Sequence, residues 1–307
     1  MIRAILNPRA GTAARRAYAA LEHGTPAWRE IEICLTERRG HAGELARAAA
    51  ERGDRVVIVA GGDGTANEAG HALLGSQSSM ALVPVGSGNG LARSLGIPLE
   101  PGRALRALST GALRAMDVGL LNDRPFLNVA GAGFDAAVGA EFHERGARGG
   151  RRGIFTYVQV ALQMLGSHPP QAFLLESSAG RFDGAAWIVG IGNGRQYGGG
   201  AFVAPRASLD DGLLDLFVIE ASSSLELLLN APRSFVRRLD GFRRYRHFQA
   251  TEAVLSSPLP FPSHRDGEPD GSTRSLIVGV RPRALRVWVP QATLTHPLSP
   301  FGAPAAP

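Results

Sequence analysis

Val56-Val57-Ile58-Val59-Ala60-Gly61-Gly62-Asp63-Gly64-Thr65-Ala66-Asn67-Glu68 runs from an unbroken apolar stretch through a glycine turn into a segment patterned as a helix. A strand, a glycine turn and a helix in that order make a phosphate site. Glycine backbone reaches positive φ and comes close to a ligand, so successive N–H groups can face one anion. The following helix adds the positive end of its dipole at the same point. A single glycine-rich turn names no reaction, because many unrelated chains contain one.

The surrounding sequence gives the turn its setting. Strands are expected at Ile2–Leu6, Glu30–Thr36, Val56–Ala60 and Met80–Val83, with helices at Ala13–Leu21, Ala42–Arg52, Ala66–Leu74, Gly90–Leu95 and Pro101–Ser109. This alternation predicts an α/β domain over residues 1–115 whose largely parallel sheet binds ligands beyond the carboxyl ends of its strands. From about Ala115 the texture changes to strand-length apolar runs, at Phe126–Val129, Phe173–Leu175, Ala186–Gly190, Leu213–Ile219, Thr251–Leu255, Leu276–Val280 and Leu285–Val289. A mainly β second domain over 116–295 follows, with helical segments at Phe155–Leu165 and Ser224–Phe242. The Pro-rich end, 296–307, reads as an extended or disordered tail.

Two further turns fall at strand ends. Asn7-Pro8-Arg9-Ala10-Gly11 closes the first strand, and Pro84-Val85-Gly86-Ser87-Gly88-Asn89-Gly90 closes the fourth and opens a helix. Two glycine turns at one sheet edge can clasp a polyphosphate. Ser87 offers a hydroxyl, while Asn89 fits either a helix N-cap or a ligand contact.

Composition bounds the partners. The chain has 307 residues, 44% hydrophobic and 20% charged, which suits a globular protein of about two domains rather than a disordered one. No apolar segment is long enough to span a bilayer, and the N-terminus has no signal-peptide pattern, so a cytoplasmic location is expected. Cys34 is the only cysteine, within a strand pattern, and reads as a structural thiol. All 33 basic residues are arginine, which excludes a Walker loop ending in Gly-Lys-Ser/Thr. The net charge of +6 fits a protein that meets anions, and the arginine excess also fits a GC-rich genome.

Asn-Pro-x-x-Gly, Gly-Gly-Asp-Gly-Thr-x-Asn-Glu and Pro-x-Gly-Ser-Gly-Asn, in this order, give the chain its resemblance to soluble bacterial lipid kinases of the diacylglycerol kinase and sphingosine kinase superfamily. The likeness continues through Asn128-Val129-Ala130-Gly131-Ala132-Gly133-Phe134-Asp135, Gly192-Asn193-Gly194, Tyr197-Gly198-Gly199-Gly200 and Ala204-Pro205-Arg206-Ala207. It implies an α/β N-terminal domain like those of NAD kinases and phosphofructokinases, a C-terminal β-sandwich, and ATP-dependent phosphorylation of a lipid hydroxyl, with diacylglycerol or a related membrane lipid the expected acceptor. The alternatives are an NAD kinase-like enzyme with a soluble acceptor and a non-catalytic regulator of the same fold.

The resemblance also implies a set of site residues. Nucleotide contacts fall on Asn7, Thr36, Gly61, Gly62, Asp63, Gly64, Thr65, Asn67 and Ser87. In Ser208-Leu209-Asp210-Asp211-Gly212-Leu213, the Asp211 carboxylate with carbonyls of Ser208 and Leu213 corresponds to a magnesium site, oxygen donors that suit a hard cation. A solvated acidic turn is the plain alternative. Glu268 corresponds to the base that accepts the acceptor's hydroxyl proton, with Asp266 beside it. Asp63 could bind a metal water, brace the glycine loop or act on the hydroxyl, and Asp135 suits a positioning role. Gly90 stands where the family often has aspartate.

Two arginine-rich stretches bear on the lipid. Arg145–Arg152 reads as a flexible basic loop, and Arg233–Arg246 as either a packed amphipathic helix or a surface for anionic membrane. The expected partner is a lipid substrate met peripherally at the inner face of the membrane. Nucleic acid is not expected, and a homodimer is compatible with the sequence.

Overall fold

The computed structural model describes residues 1–148 and 153–302, which divide into two compact units. The first comprises Met1–Val118, Ser208–Asp211 and the C-terminal segment from Pro282. The second comprises Gly119–Ala207 and Gly212–Arg281. The division departs from the boundaries read in sequence, because two later segments return to the first unit. Leu209 N–H donates to the Pro300 carbonyl and its carbonyl accepts from Asp117 N–H, while Arg283 N–H donates to the Asp117 carboxylate.

In the first unit β1 (Ile2–Leu6), α1 (Gly11–His23), β2 (Ile31–Leu35), α2 (His41–Glu51), β3 (Val56–Gly61), α3 (Asp63–Leu73) and β4 (Ser79–Pro84) alternate, and α4 (Gly90–Ser94) and α5 (Pro101–Ser109) follow. The strands are parallel in the order β4-β3-β1-β2. β3 and β4 are buried along their whole length, hence their unbroken apolar runs. The end of the chain's last strand adds beside β4, with Val287 opposite Met80, and Trp288 meets Trp28 edge-on. α5 begins where the Glu100 carboxylate accepts the N–H groups of Gly102 and Arg103, with Pro101 at the first helical position.

Register sets the strand ends level. Leu6 lies opposite Leu35 and Ala60, and Ala60 opposite Val83. The chain leaves β1 to form β2 on one side and returns as β3 on the other, so the strand order reverses between β1 and β3. In an open parallel sheet that reversal opens a crevice at the carboxyl ends.

The second unit is mostly strand: the end of β5 (Ala112–Leu121), β6 (Arg124–Phe126), β7 (Val129–Gly133), β8 (Gln171–Ser177), β9 (Gly180–Gly192), β10 (Leu214–Glu220), β11 (Tyr245–Ala250), β12 (Glu252–Arg265) and most of β13 (Glu268–Val289). The antiparallel order is β11-β10-β9-β7-β12-β13, and β8 pairs with both β9 and β12. Alternation along β10 sends Leu214, Leu216 and Val218 into one core with Val189, Ile191 and Phe173, and Phe217 and Ile219 into another with Trp187 and Tyr245. Three helices accompany the strands: α6 (Phe134–Ala147), α7 (Ile154–Met164) and α8 (Ser224–Asn230). Among the described residues no helix is long and apolar enough to cross a membrane.

Several local expectations are corrected. The helix expected over Ser224–Phe242 stops at Asn230 and gives way to 3-10 turns at Ala231–Val236 and Leu239–Gly241. Pro232 lacks the N–H a helix needs, and Arg237 takes φ +56. The runs Leu276–Val280 and Leu285–Val289 are one strand. The Phe126–Val129 run is split between β6 and β7. Arg145 lies within α6 and pairs with Glu141; residues 149–152 of the expected basic loop lie outside the described residues. As far as residue 302 the tail is anchored, with Phe301 buried and Gly302 N–H bonded to Asp210; 303–307 lie outside the described residues.

Candidate functional site

The level strand ends of the first unit gather the expected nucleotide residues. Asn7 follows β1, Thr36 follows β2, Gly61 ends β3, and Ser87 lies in the turn after β4. Asp63, Gly64, Thr65 and Asn67 form the first turns of α3. Asn7 Nδ2 donates to Thr65 Oγ1 at 3.1 Å while its Oδ1 accepts from Arg9 N–H, which fixes the amide between β1 and α3.

The two glycine turns touch backbone to backbone. A Cβ on Gly62 would lie 3.3 Å from Gly86 Cα, and one on Gly86 only 2.6 Å from Gly62 Cα and 2.9 Å from Asn89 Oδ1. No side chain fits at Gly86 without parting the loops. Asn89 is buried in a left-handed conformation and does not cap α4; both ends of its amide bind Gly86, with Gly86 N–H to Oδ1 at 3.0 Å and Nδ2 to Gly86 O at 2.6 Å. The asparagine therefore closes its own turn.

Asp63 crosses between the turns. Its Oδ1 accepts Gly90 N–H at 2.7 Å, placing a carboxylate at the start of α4. Burial pushes the Asp63 carboxyl above the ordinary aspartate range, and main-chain N–H groups from Gly90, Asn89 and Leu91 oppose that shift. Of the roles open in sequence, this geometry gives Asp63 the bracing one. A residue that sequence reasoning left unassigned does the same for α2: Glu68 accepts Gly40 N–H at 2.8 Å and Ala42 N–H at 3.3 Å. The signal was its place at the end of the glycine motif, one helical turn beyond Gly64.

Asp266 and Glu268 belong to the second unit. Arg265 pairs with Glu268, so Asp266-Gly267 is a two-residue hairpin loop with φ +51 and +81, the pair of positive angles a tight antiparallel turn takes. The Asp266 carboxylate accepts three main-chain N–H groups, from Leu127 at 2.7 Å, Asn128 at 2.8 Å and Val129 at 3.0 Å. Asp266 thus clamps the hairpin to the segment before β7, and Glu268 stands half-buried at the start of β13.

Behind the hairpin lies a buried polar group that was only partly legible in sequence. Gly267 N–H donates to His264 Nδ1 at 3.3 Å, which leaves the proton on Nε2 to reach Asp135 Oδ2 at 3.1 Å. Tyr197 O–H donates to the same oxygen, and burial followed by the Asp135 charge raises the Tyr197 hydroxyl well above its usual range. His264 was missed; its signal was its position two residues before the Asp-Gly turn.

In the acidic turn, Ser208 Oγ donates to Asp210 Oδ1 and Asp210 also accepts Gly302 N–H, so Asp210 is spent on local structure. Asp211 is exposed. Ser208 and Asp211 belong to the first unit and Leu213 to the second. Among the described residues no three His, Cys, Asp or Glu side chains gather as a metal cluster, so a cation here would rely on one carboxylate, carbonyls and water. That all-oxygen donor set fits magnesium.

Comparison with known proteins gives a consistent result. Residues 1–121 match the diacylglycerol kinase catalytic domain, and 128–289 match the YegS C-terminal NAD kinase beta sandwich-like domain. A probable YegS-like lipid kinase of Pseudomonas fluorescens is 33% identical over 89% of this chain and 90% of its own. One from Citrobacter koseri is 31% identical over 85% and 87%. Among solved structures, a putative diacylglycerol kinase from Bacillus anthracis superposes with a TM-score of 0.75 at 22% identity, covering 95% of this chain and 97% of that one. An NAD kinase from Archaeoglobus fulgidus in complex with ATP shares the fold more distantly, with a TM-score of 0.54 at 12% identity over 98% and 100%. The paired glycine turns, the mostly stranded second unit and a similarity that spans most of the chain lead to one assignment: the chain belongs to the YegS-like lipid kinases of the diacylglycerol kinase superfamily.

Proposed function

We propose that this protein transfers the γ-phosphoryl group of ATP to the hydroxyl of diacylglycerol or a closely related membrane lipid. The observation that carries the reading is the backbone contact between Gly62 and Gly86, which sets two glycine turns side by side at the carboxyl edge of a parallel sheet. Such an edge receives a polyphosphate, with Gly62, Asn67 and Ser87 around it and Asn7 and Thr65 acting as a hydrogen-bonded pair. Asp211 with the carbonyls of Ser208 and Leu213 would hold magnesium, which when bound neutralises phosphate charge. Glu268 accepts the lipid hydroxyl proton as the oxygen attacks phosphorus and the bond to the leaving ADP oxygen breaks. Asp266 keeps the hairpin that carries Glu268 in place.

The test is radiolabelled ATP incubated with diacylglycerol in mixed micelles, with NAD, and with neither. Label in the lipid is expected. Label in NAD alone, or nucleotide binding without transfer to either acceptor, would reject the reading.

A further inference from the structure

The second unit turns two apolar helix faces outward. On α7, Phe155, Val158 and Leu162 stand at helical spacing, and Phe155 is 89% exposed. On α8, Leu225, Leu228 and Leu229 do the same, with Leu225 65% and Leu229 71% exposed, and the following 3-10 turn adds exposed Phe235 and Val236. These helices already have a core to cover: Leu165 at the end of α7 and Leu227 of α8 both pack on the cluster around Trp187, Phe217 and Tyr245. Both therefore lie over the same face of the sheet, and their leucine and phenylalanine stripes point away from it. An apolar patch of this kind on a protein surface marks an interaction site.

The charge beside the patch selects its occupant. The acids here are taken up by arginine: Glu226 by Arg243 at 3.2 Å, Asp240 by Arg206 at 3.5 Å and Glu141 by Arg145 at 2.6 Å. Beyond these ion pairs Arg233, Arg237 and Arg238 stand exposed among the apolar residues. Arg237 lies over the Phe202 ring at 4.3 Å, so its side chain is held near the patch. Arg145 also donates to Gln163 at 2.8 Å, which brings a basic helix end to α7. Apolar side chains ringed by arginine match an acyl boundary beneath anionic headgroups. A second copy pairing through the same face would set arginine against arginine.

We infer that α7, α8 and the turn Ala231–Val236 form a docking surface for an anionic phospholipid bilayer. This rests on the lipid-kinase reading and names the surface by which the enzyme reaches a bilayer. The insertion is shallow, leucine and phenylalanine entering the acyl boundary while the guanidinium groups stay at headgroup level.

The test is co-sedimentation with vesicles in the absence of ATP, so that failure of the kinase reading leaves this readout untouched. The wild-type protein should partition onto phosphatidylglycerol–phosphatidylcholine vesicles, release as salt rises, and ignore pure phosphatidylcholine. Leu225→Gln with Leu229→Gln should weaken partition by about tenfold or more. Arg233→Gln with Arg238→Gln should cost roughly fivefold per arginine. Ile277→Gln removes an exposed apolar side chain from β13 and should bind like wild type. All variants change exposed positions, and matching thermal unfolding curves check that each is folded. Wild-type failure on anionic vesicles, equal binding by the leucine pair, or a concentration-dependent dimer that the leucine pair abolishes would each overturn the proposal.

Discussion

Gly86→Ala tests the contact between the two glycine turns. The added methyl carbon would stand 2.6 Å from Gly62 Cα and 2.9 Å from Asn89 Oδ1. Carbon atoms rest about 3.5–4.0 Å apart, so the turns must separate by about 1 Å. Neither neighbour yields easily. Gly62 is main chain at the start of α3, and Asn89 can move only by giving up both hydrogen bonds to Gly86. Overpacking of this kind costs about 1–3 kcal/mol, and each lost hydrogen bond adds about 1 kcal/mol net. A loss of about 3–5 kcal/mol is therefore expected in urea unfolding with an unchanged slope, together with weaker ATP binding by isothermal titration. Gly62→Ala makes a graded comparison, because its methyl meets Gly86 Cα at 3.3 Å and needs a shift of only a few tenths of an ångström. It should cost less. A Gly86→Ala protein as stable as wild type, or more stable than Gly62→Ala, would refute the close contact and the phosphate cradle argued from it.

Asp266 and Glu268 should separate stability from turnover. Asp266→Ala leaves three main-chain donors without their acceptor and should destabilise by about 3 kcal/mol or more, whereas Glu268→Gln should keep wild-type stability and lose phosphoryl transfer, read by denaturation and by labelled lipid. Asp63→Asn should remove part of the pH dependence of folding. Because the folded carboxyl sits above its unfolded value of 3.8, Asp63 favours the folded state at low pH and loses that contribution as pH rises from there through the folded value. The wild-type stability should thus fall relative to the asparagine variant over that rise, and parallel curves would contradict the burial assigned to Asp63. Gly139→Ala, inside α6 with nothing within 4 Å of the new methyl, should stabilise by up to about 1 kcal/mol in thermal unfolding.

The parallel sheet was legible because burial on both faces leaves β3 and β4 as almost wholly apolar runs, each leading into a glycine turn. The second unit was legible as mainly β, but its helices less so. α6 begins inside a glycine-rich motif, Asn128–Asp135, whose residues read as turn and strand, and its polar face hides the period of a helix. Ser224–Phe242 has helical spacing throughout, yet Pro232 and the left-handed Arg237 impose breaks that periodicity does not register. At the strand ends the residues expected from sequence come together in the fold, and sequence left their division of labour open. Asn89, Asp63 and Asp266 look like ligand groups by residue type, and their bonds to Gly86, Gly90 and the Leu127–Val129 backbone emerge only from folding. His264 and Asp135 are far apart in sequence, and no spacing rule joins them.

The last strand of the chain carries a consequence for synthesis. The parallel sheet of the first unit gains its fifth strand only when Val287 reaches Met80 and Trp288 reaches Trp28, after the entire second unit has left the ribosome. Until then β4 has an open edge, a long-separation contact waits to form, and the nascent N-terminal half is exposed to mispairing. A fragment ending at Val118 would keep every glycine of the two turns and still leave β4 with that edge open, so the order of translation, rather than the order of the motifs, decides when the first unit is complete.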